Sequence, residues 1–302
     1  MISRRSVVRG ASAFLLGGFG LAGYAAGIEP HVRLRVARYS VTPGRWPDSV
    51  TPGHWPAGLR LRLAAISDLH VCEPWVGTRR IAEIVQRTNG LEPDVTVLLG
   101  DYMGAHPYIT GEVPPDAWAG ALSRLRAPLG VHAVLGNHDW WEDEDALREG
   151  RGPVIARRAL EQAGIPVYEN DVVRLSKGGR PFWLAGLGDQ WAFGSRRGVD
   201  DLPGTLAKVK DDAPVILLAH EPDVFPHVPA RVALTLSGHT HGGQLNLFGY
   251  SPFVPSRFGN RYRYGHIVEE GRHLVVSAGI GCSTAPVRIG APPEIVLIDV
   301  TA

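Results

Sequence analysis

From Leu59 onward, short apolar runs alternate with stretches of helical spacing, and each run stops at a polar residue. Arg62 to Ser67 reads as a strand ending at Asp68-Leu69-His70, and Val95 to Leu99 as a second ending at Gly100-Asp101. Between them, Arg79 to Thr88 sets Ile81, Ile84 and Val85 on one stripe of a surface helix. Pro115 to Leu125 predicts another helix, and Val131 to Leu135 a third strand running into Gly136-Asn137-His138-Asp139. Strand, helix, strand, helix, strand predicts a parallel sheet covered by helices, with functional groups gathered beyond the carboxyl ends of the strands.

The second half is less regular. Val154 to Ala163 reads as a helix; Val167 to Tyr168, Val172 to Leu175 and Phe182 to Leu187 read as strands of a meander; Leu206 to Val209 closes a short helix. Val215 to Leu218 is a strongly apolar strand ending at Ala219-His220-Glu221-Pro222. Val232 to Leu236 follows and runs into Ser237-Gly238-His239-Thr240-His241-Gly242-Gly243-Gln244. Glycine beside each imidazole lets the backbone turn sharply and approach a ligand without Cβ clashes. Leu274 to Ser277 and Ile295 to Val300 are the last strand candidates. No linker interrupts residues 59–302, so one two-sheet domain is expected there.

Composition narrows the class. A chain of 302 residues with 44% apolar content can bury a sizeable core, and 37 glycines with 24 prolines point to functional loops rather than a helical bundle. A net charge of +1 with no long run of one sign leaves no footprint for nucleic acid, so no such partner is expected. Cys72 and Cys282 make neither a disulfide framework nor a zinc motif. Val41-Thr42-Pro43-Gly44-Arg45-Trp46-Pro47 returns as Val50-Thr51-Pro52-Gly53-His54-Trp55-Pro56, which suggests that residues 31–58 form an extended connector over the surface. Trp46 and Trp55 are expected to pack onto the body, a carbohydrate-facing role being the alternative.

The first 30 residues are expected to stand outside the fold. Arg4-Arg5 precedes a glycine-rich apolar stretch from Ala11 to Ile28 and resembles a twin-arginine signal, which implies the twin-arginine export machinery as a partner and a periplasmic or cell-envelope location. Those eighteen residues also approach the roughly 20 that span a bilayer, so a retained membrane anchor over residues 11–28 is the alternative.

The strand ends together supply Asp68, His70, Asp101, Asn137, His138, His220, His239 and His241. Oxygen and imidazole donors without thiolate suit Mn, Fe, Zn or Ni, and so many donors exceed what one tetrahedral ion needs. Two divalent ions joined by a bridging carboxylate are the simplest account, the residues alone leaving open which carboxylate bridges.

Asp68-x-His70, Gly100-Asp101, Gly136-Asn137-His138-Asp139, His220 and Gly238-His239-x-His241 resemble the five ordered motifs of the calcineurin-like metallophosphoesterases. The resemblance implies an α/β fold, a four-layer αββα sandwich of two mixed β-sheets flanked by helices. It also implies that Asp68, His70 and His241 hold one ion, that Asn137, His220 and His239 hold the other, and that Asp101 bridges them. His138 would be the acid that steadies the transition state or protonates the leaving oxygen. The implied activity is phosphoester hydrolysis by a water activated between the two ions.

Substrate choice is carried by fewer residues. Trp75, Trp140 and Trp141 lie close to the motifs, and Trp191 to Arg197 reads as a loop in which Arg196 or Arg197 could grip a second phosphate. Tyr262, Tyr264 and Arg288 are further candidates for the border of the site. The N-terminal segment and Gly279-Ile280-Gly281, Pro286-Val287-Arg288 and Pro293-Glu294-Ile295 resemble a bacterial branch holding envelope phosphodiesterases and UDP-2,3-diacylglucosamine pyrophosphohydrolases of lipid A synthesis. Export favours a cell-envelope or lipid-linked phosphodiester, since an exported enzyme cannot meet a cytoplasmic UDP-sugar; a cytoplasm-facing anchor favours the pyrophosphohydrolase. A non-enzymatic envelope protein that binds phosphate or metal is the competing class.

Overall fold

The computed structural model describes residues 18–43, 55–104, 106–194 and 197–302. The first sheet has the order β1 (Arg35–Val41), β11 (Glu294–Val300), β2 (Leu61–Ile66), β3 (Val95–Leu98), β4 (Val131–Ala133). Strands β2, β3 and β4 run parallel, as the strand–helix alternation predicts, while β11 is antiparallel to β2 and parallel to β1. The second sheet has the order β5 (Asp171–Lys177), β6 (Arg180–Gly186), β7 (Val215–Leu218), β8 (Val232–Ser237), β10 (Arg272–Val276), β9 (Gly265–Glu269). Its four central strands are parallel and its edges antiparallel. The predicted meander is therefore one hairpin, β5–β6, followed by parallel crossovers, and Val167 makes only an isolated bridge to Ala133.

Alternation along the strands builds the layers. Leu61, Leu63, Val95 and Val97 face Phe182, Leu184, Ile216 and Leu234 in a core between the sheets. Ile66 and Leu98 point the other way, into helices α1 (Thr78–Asn89), α2 (Pro115–Leu122) and α5 (Ile155–Gln162), where Ile81, Ile84 and Val85 form the expected buried stripe. The short helices α3 (Asn137–Trp141) and α4 (Glu144–Glu149) follow β4. Trp183, Leu217 and Val215 pack outward against α6 (Leu202–Ala207) and Phe225. These are the four layers of an αββα sandwich. Strands buried on both faces read as unbroken apolar runs, which is why β3, β7 and β8 stand out in the sequence.

Two expectations change. Residues 35–41 are the edge strand β1 in full register with β11, so the stretch assigned to a connector begins as part of the sheet. Its sequence hides this because an edge strand with one solvated side keeps Arg38 and Ser40 there. Trp55 is buried in the inter-sheet core with its indole donating to Leu59 O at 2.9 Å; Trp46 lies outside the described residues.

The second correction concerns the N-terminus, expected to stand apart. Residues 18–32 are helical, including a π-helical stretch at Tyr24–Ile28 and a last turn at Glu29–Val32. Arg288 N donates to Ala25 O at 2.9 Å, and Ala291 N donates to the buried Glu29 carboxylate at 2.8 Å. His31 stacks on Trp75 with centroids 4.9 Å apart. The small residue Ala25 is buried at this contact. Arg4-Arg5 and residues 11–17 lie outside the described residues, and among the described ones no helix is long and apolar enough to cross a membrane.

Candidate metal centre

All the motif residues meet at the carboxyl edges of the two sheets. Beyond β2 and β3 the chain continues as two paired loops, Asp68 N bonding to Gly100 O and His70 N to Asp101 O, each at 3.0 Å. That pairing is held in left-handed backbone: Asp68, Asp101, His239 and His241 have φ of 54°, 57°, 66° and 53°, and His70 has 43°. Non-glycine residues in this region are strained, and such strain collects at functional sites because it aims side chains that relaxed backbone would point elsewhere.

Asp139 organises the loops. Its buried carboxylate accepts from the backbone N–H groups of Asp101 at 3.0 Å, Tyr102 at 2.9 Å and Gly136 at 2.9 Å. Close approach completes the cradle: a Cβ on Gly238 would lie 1.8 Å from Ser67 Oγ and 2.6 Å from Asp68 Oδ2, and one on Gly136 would lie 2.4 Å from Asp101 Oδ1. Only glycine fits there.

The donors form two clusters that share one carboxylate. Asp68, His70, Asp101 and His241 place ligand-type atoms within 4.8 Å of one another, and so do Asp101, His220 and His239. His241 Nε2 stands 3.0 Å from His70 Nε2 and 3.6 Å from Asp68 Oδ1, whereas the His239 ring packs on His220 at 5.1 Å between centroids. The histidine pair is thus divided between the clusters, with Asp101 Oδ2 lying 3.5 Å from His70 and 3.2 Å from His220.

Several buried atoms suit a cation. Asp68 Oδ2, Asn137 Oδ1, His220 Nε2 and both ring nitrogens of His239 have no hydrogen-bond partner among the described residues. Orphaned polar atoms cost about 1–3 kcal/mol each, so gathering them needs a compensating ligand. Outer bonds orient the rings: His70 Nδ1 donates to Met103 O at 3.1 Å, and His220 Nδ1 reaches across the sheets to Leu99 O at 2.6 Å, leaving each Nε2 turned inward. Arg288, fully buried, donates to His241 Nδ1 at 3.2 Å.

Burial pushes His70 down to about 3 and takes His239 and His241 well below the usual imidazole value, which keeps these rings neutral as ligands must be. Asp101 is buried too, yet the imidazoles of His220 and His138 hold it well below the usual carboxylate range. Burial raises Asp68 to about 6. His138 stands apart from the ligand clusters. Its N–H donates from the backbone to Asp101 Oδ1 at 2.8 Å, its ring meets His70 edge-on at 4.8 Å, and Nδ1 is 3.5 Å from Glu142. Burial lowers its pKa, but Asp101 and Glu142 outweigh that and raise it, which favours the proton-carrying form.

Above this floor opens a cavity of about 690 Å³, bordered by Asp101, Asn137, His138, His239 and His241. Trp141 and Trp191 line it, joined by Trp141 Nε1 donating to Trp191 O at 2.9 Å. The other aromatic candidates do not: Trp140 is buried against Phe193, Trp75 packs on His31, Tyr262 is buried in the outer core, and Tyr264 bonds to Arg35 and Glu294. Arg197 lies outside the lining with its guanidinium 4.9 Å over Phe193, and Arg196 is outside the described residues. The reading from sequence missed the apolar wall, Leu245, Pro252, Phe253, Pro255 and Val287, whose only signal is a loop rich in apolar residues. It also missed Asp139 as organiser, although that residue sits inside a motif.

Such a cluster at the strand ends of an αββα sandwich defines a phosphoester hydrolase of the metal-dependent kind. The chain belongs to the calcineurin-like phosphoesterase family, whose profile matches residues 61–243. It is 28% identical over 304 residues to the metallophosphoesterase YkuE of Bacillus subtilis, covering 97% of this chain and 96% of that protein. It is 29% identical over 243 residues to the phosphodiesterase YaeI of Escherichia coli, covering 79% and 81%. A bovine transmembrane protein with a metallophosphoesterase domain is 32% identical over 254 residues, which cover 78% of this chain and 52% of that protein.

Proposed function

We propose that the chain is a phosphodiesterase acting on a cell-envelope or lipid-linked phosphodiester. The observation that carries the reading is the sharing of Asp101 by two clusters at the base of a cleft with apolar walls. Asp68, His70 and His241 would hold one divalent cation and Asn137, His220 and His239 a second, with Asp101 common to both. When bound, such ions supply Lewis-acid activation of water and neutralise charge at phosphorus.

The chain's own groups do the rest. Asp139 fixes the loops that carry Asp101 and Asn137, so the ligands are in place before substrate arrives. His138, raised toward its charged form, faces the cavity and donates a proton to the leaving oxygen. The apolar wall takes the organic substituents of a diester, for which a monoester has less use. Likeness to YaeI supports a diester, and Arg4-Arg5 supports export to the envelope.

Turnover of bis-p-nitrophenyl phosphate and of p-nitrophenyl phosphate with Mn²⁺, Fe²⁺, Zn²⁺ or Ni²⁺ tests the reading. The diester is expected to turn over faster. Faster monoester hydrolysis overturns the preference, and no turnover with any metal assigns the fold to binding instead.

A further inference from the structure

The cleft wall continues into a loop whose exposure is unusual. Leu247 N bonds to Tyr250 O at 2.8 Å and Tyr250 N to Leu247 O at 3.1 Å, closing a tight turn on Phe248 and Gly249. Both turn residues have positive φ, 53° and 91°. Glycine accepts that conformation freely, whereas phenylalanine is strained in it. Phe248 nevertheless stands there fully exposed, with Leu247, Tyr250 and Phe253 at 50%, 62% and 71%. Isolated exposed apolar residues mean little, but four within seven positions beside an apolar cleft mark an interaction surface.

Neighbouring elements extend the surface. Tyr108, 57% exposed, follows the lining residues His106 and Pro107. Trp75 donates to Tyr108 O at 3.3 Å and stacks on His31, so the N-terminal helix, with exposed Phe19, Leu21 and Val32, is docked against the same rim. Arg263 stands directly behind the tip, its guanidinium donating to Gly249 O at 3.0 Å and to Gly242 O at 2.8 Å, whereas Arg261 is paired with Glu269 at 2.8 Å. Phenylalanine and leucine at a tip, tyrosines at its shoulder and the Arg263 guanidinium behind it match the layering of a bilayer interface with anionic headgroups.

We infer that the tip Leu247–Tyr250, with Phe253 and Tyr108, docks on the face of an anionic lipid bilayer and seats the cleft mouth against the headgroups. The inference deepens the proposed phosphodiesterase reading, on which it rests for the substrate, by giving that substrate a route from the membrane.

Cosedimentation of the full chain with phosphatidylglycerol/phosphatidylcholine vesicles tests it. The parent is expected to bind these better than pure phosphatidylcholine, and Leu247→Ser/Phe248→Ser to bind about tenfold more weakly. Phe248→Trp, in vesicles containing brominated phosphatidylcholine, is expected to show quenching beyond that of the parent. This second readout reports contact at the tip even where the N-terminal segment also holds the protein to lipid. No binding by the parent, or bound Phe248→Trp protein quenched no more than the parent, overturns the proposal. Self-association that Leu247→Ser/Phe248→Ser abolishes, without vesicle binding, assigns the tip to a second copy and also overturns it. Turnover of soluble bis-p-nitrophenyl phosphate, measured in parallel, judges the hydrolase reading alone: vesicle binding without turnover leaves the docking intact, and turnover without binding does the reverse.

Discussion

At the floor of the cleft Asp68, Asp101 and four imidazoles are almost wholly buried, whereas along its wall Phe253 and Phe248 stand mostly in solvent. Each region departs from ordinary burial, in opposite directions. Among the described residues, the floor gathers polar atoms that lack partners and the wall offers apolar surface that lacks a cover. Both are strained in the same way, through non-glycine residues at positive φ. Strain by itself is no marker, since Glu92, Asn170 and Glu270 share it elsewhere in the fold; the chemistry of the side chains says what each region meets.

The contrast predicts separable losses. Asp101→Ala removes the carboxylate common to both clusters and should lower turnover by about 10³-fold or more, with metal content falling in parallel by elemental analysis. Two ions retained at full occupancy would remove Asp101 from that role. His138→Ala should lower turnover by about 10²-fold while leaving bound metal unchanged, because the ring lies beside the ligands without joining them. Turnover equal to that of the parent would show that the leaving oxygen takes its proton elsewhere.

Smaller effects probe the framework and the wall. Gly238→Ala would force a Cβ onto Ser67 and Asp68 and should cost about 1–3 kcal/mol, read as a lower denaturation midpoint together with weaker metal retention. An unchanged midpoint would mean that the two sheets can part at little cost. Leu245→Ser should raise KM for an acylated phosphodiester by about tenfold relative to bis-p-nitrophenyl phosphate, with kcat little altered. Equal effects on both substrates would mean that the wall does not read the organic substituent.

The floor was legible in the sequence for a physical reason. A strand buried on both faces leaves an unbroken apolar run, so its end is sharp, and Asp101, His220 and His239 each sit just past such an end, at β3, β7 and β8. Division of His239 from His241 was implied by the family resemblance and not by the residues alone, since it depends on left-handed φ that Asp and His adopt without any sequence mark. Strand β1 escaped because one side faces solvent, and β9, with Gly265 and His266, is an edge as well. Helix α3 spans only Asn137–Trp141, too short for periodicity to show. The wall is loop throughout, so nothing periodic announced it. The aromatic candidates divided accordingly: Trp141 reaches the cavity from the end of α3 and Trp191 from a loop, while Tyr262 belongs to the core.

Strand β11 lies between β1 and β2, so a strand made late is the interior partner of two made well before it. Arg35 and Glu294, paired at 2.8 Å across that seam, are 259 residues apart along the chain. Asp68 and His70 follow directly on β2 and gain their final anchorage only when β11 slots in beside it. Synthesis thus makes these ligands early and fixes them late, and a contact of such long range sets a slow final step. Until then a nascent chain carries the motifs of the site without the rigidity that aims them.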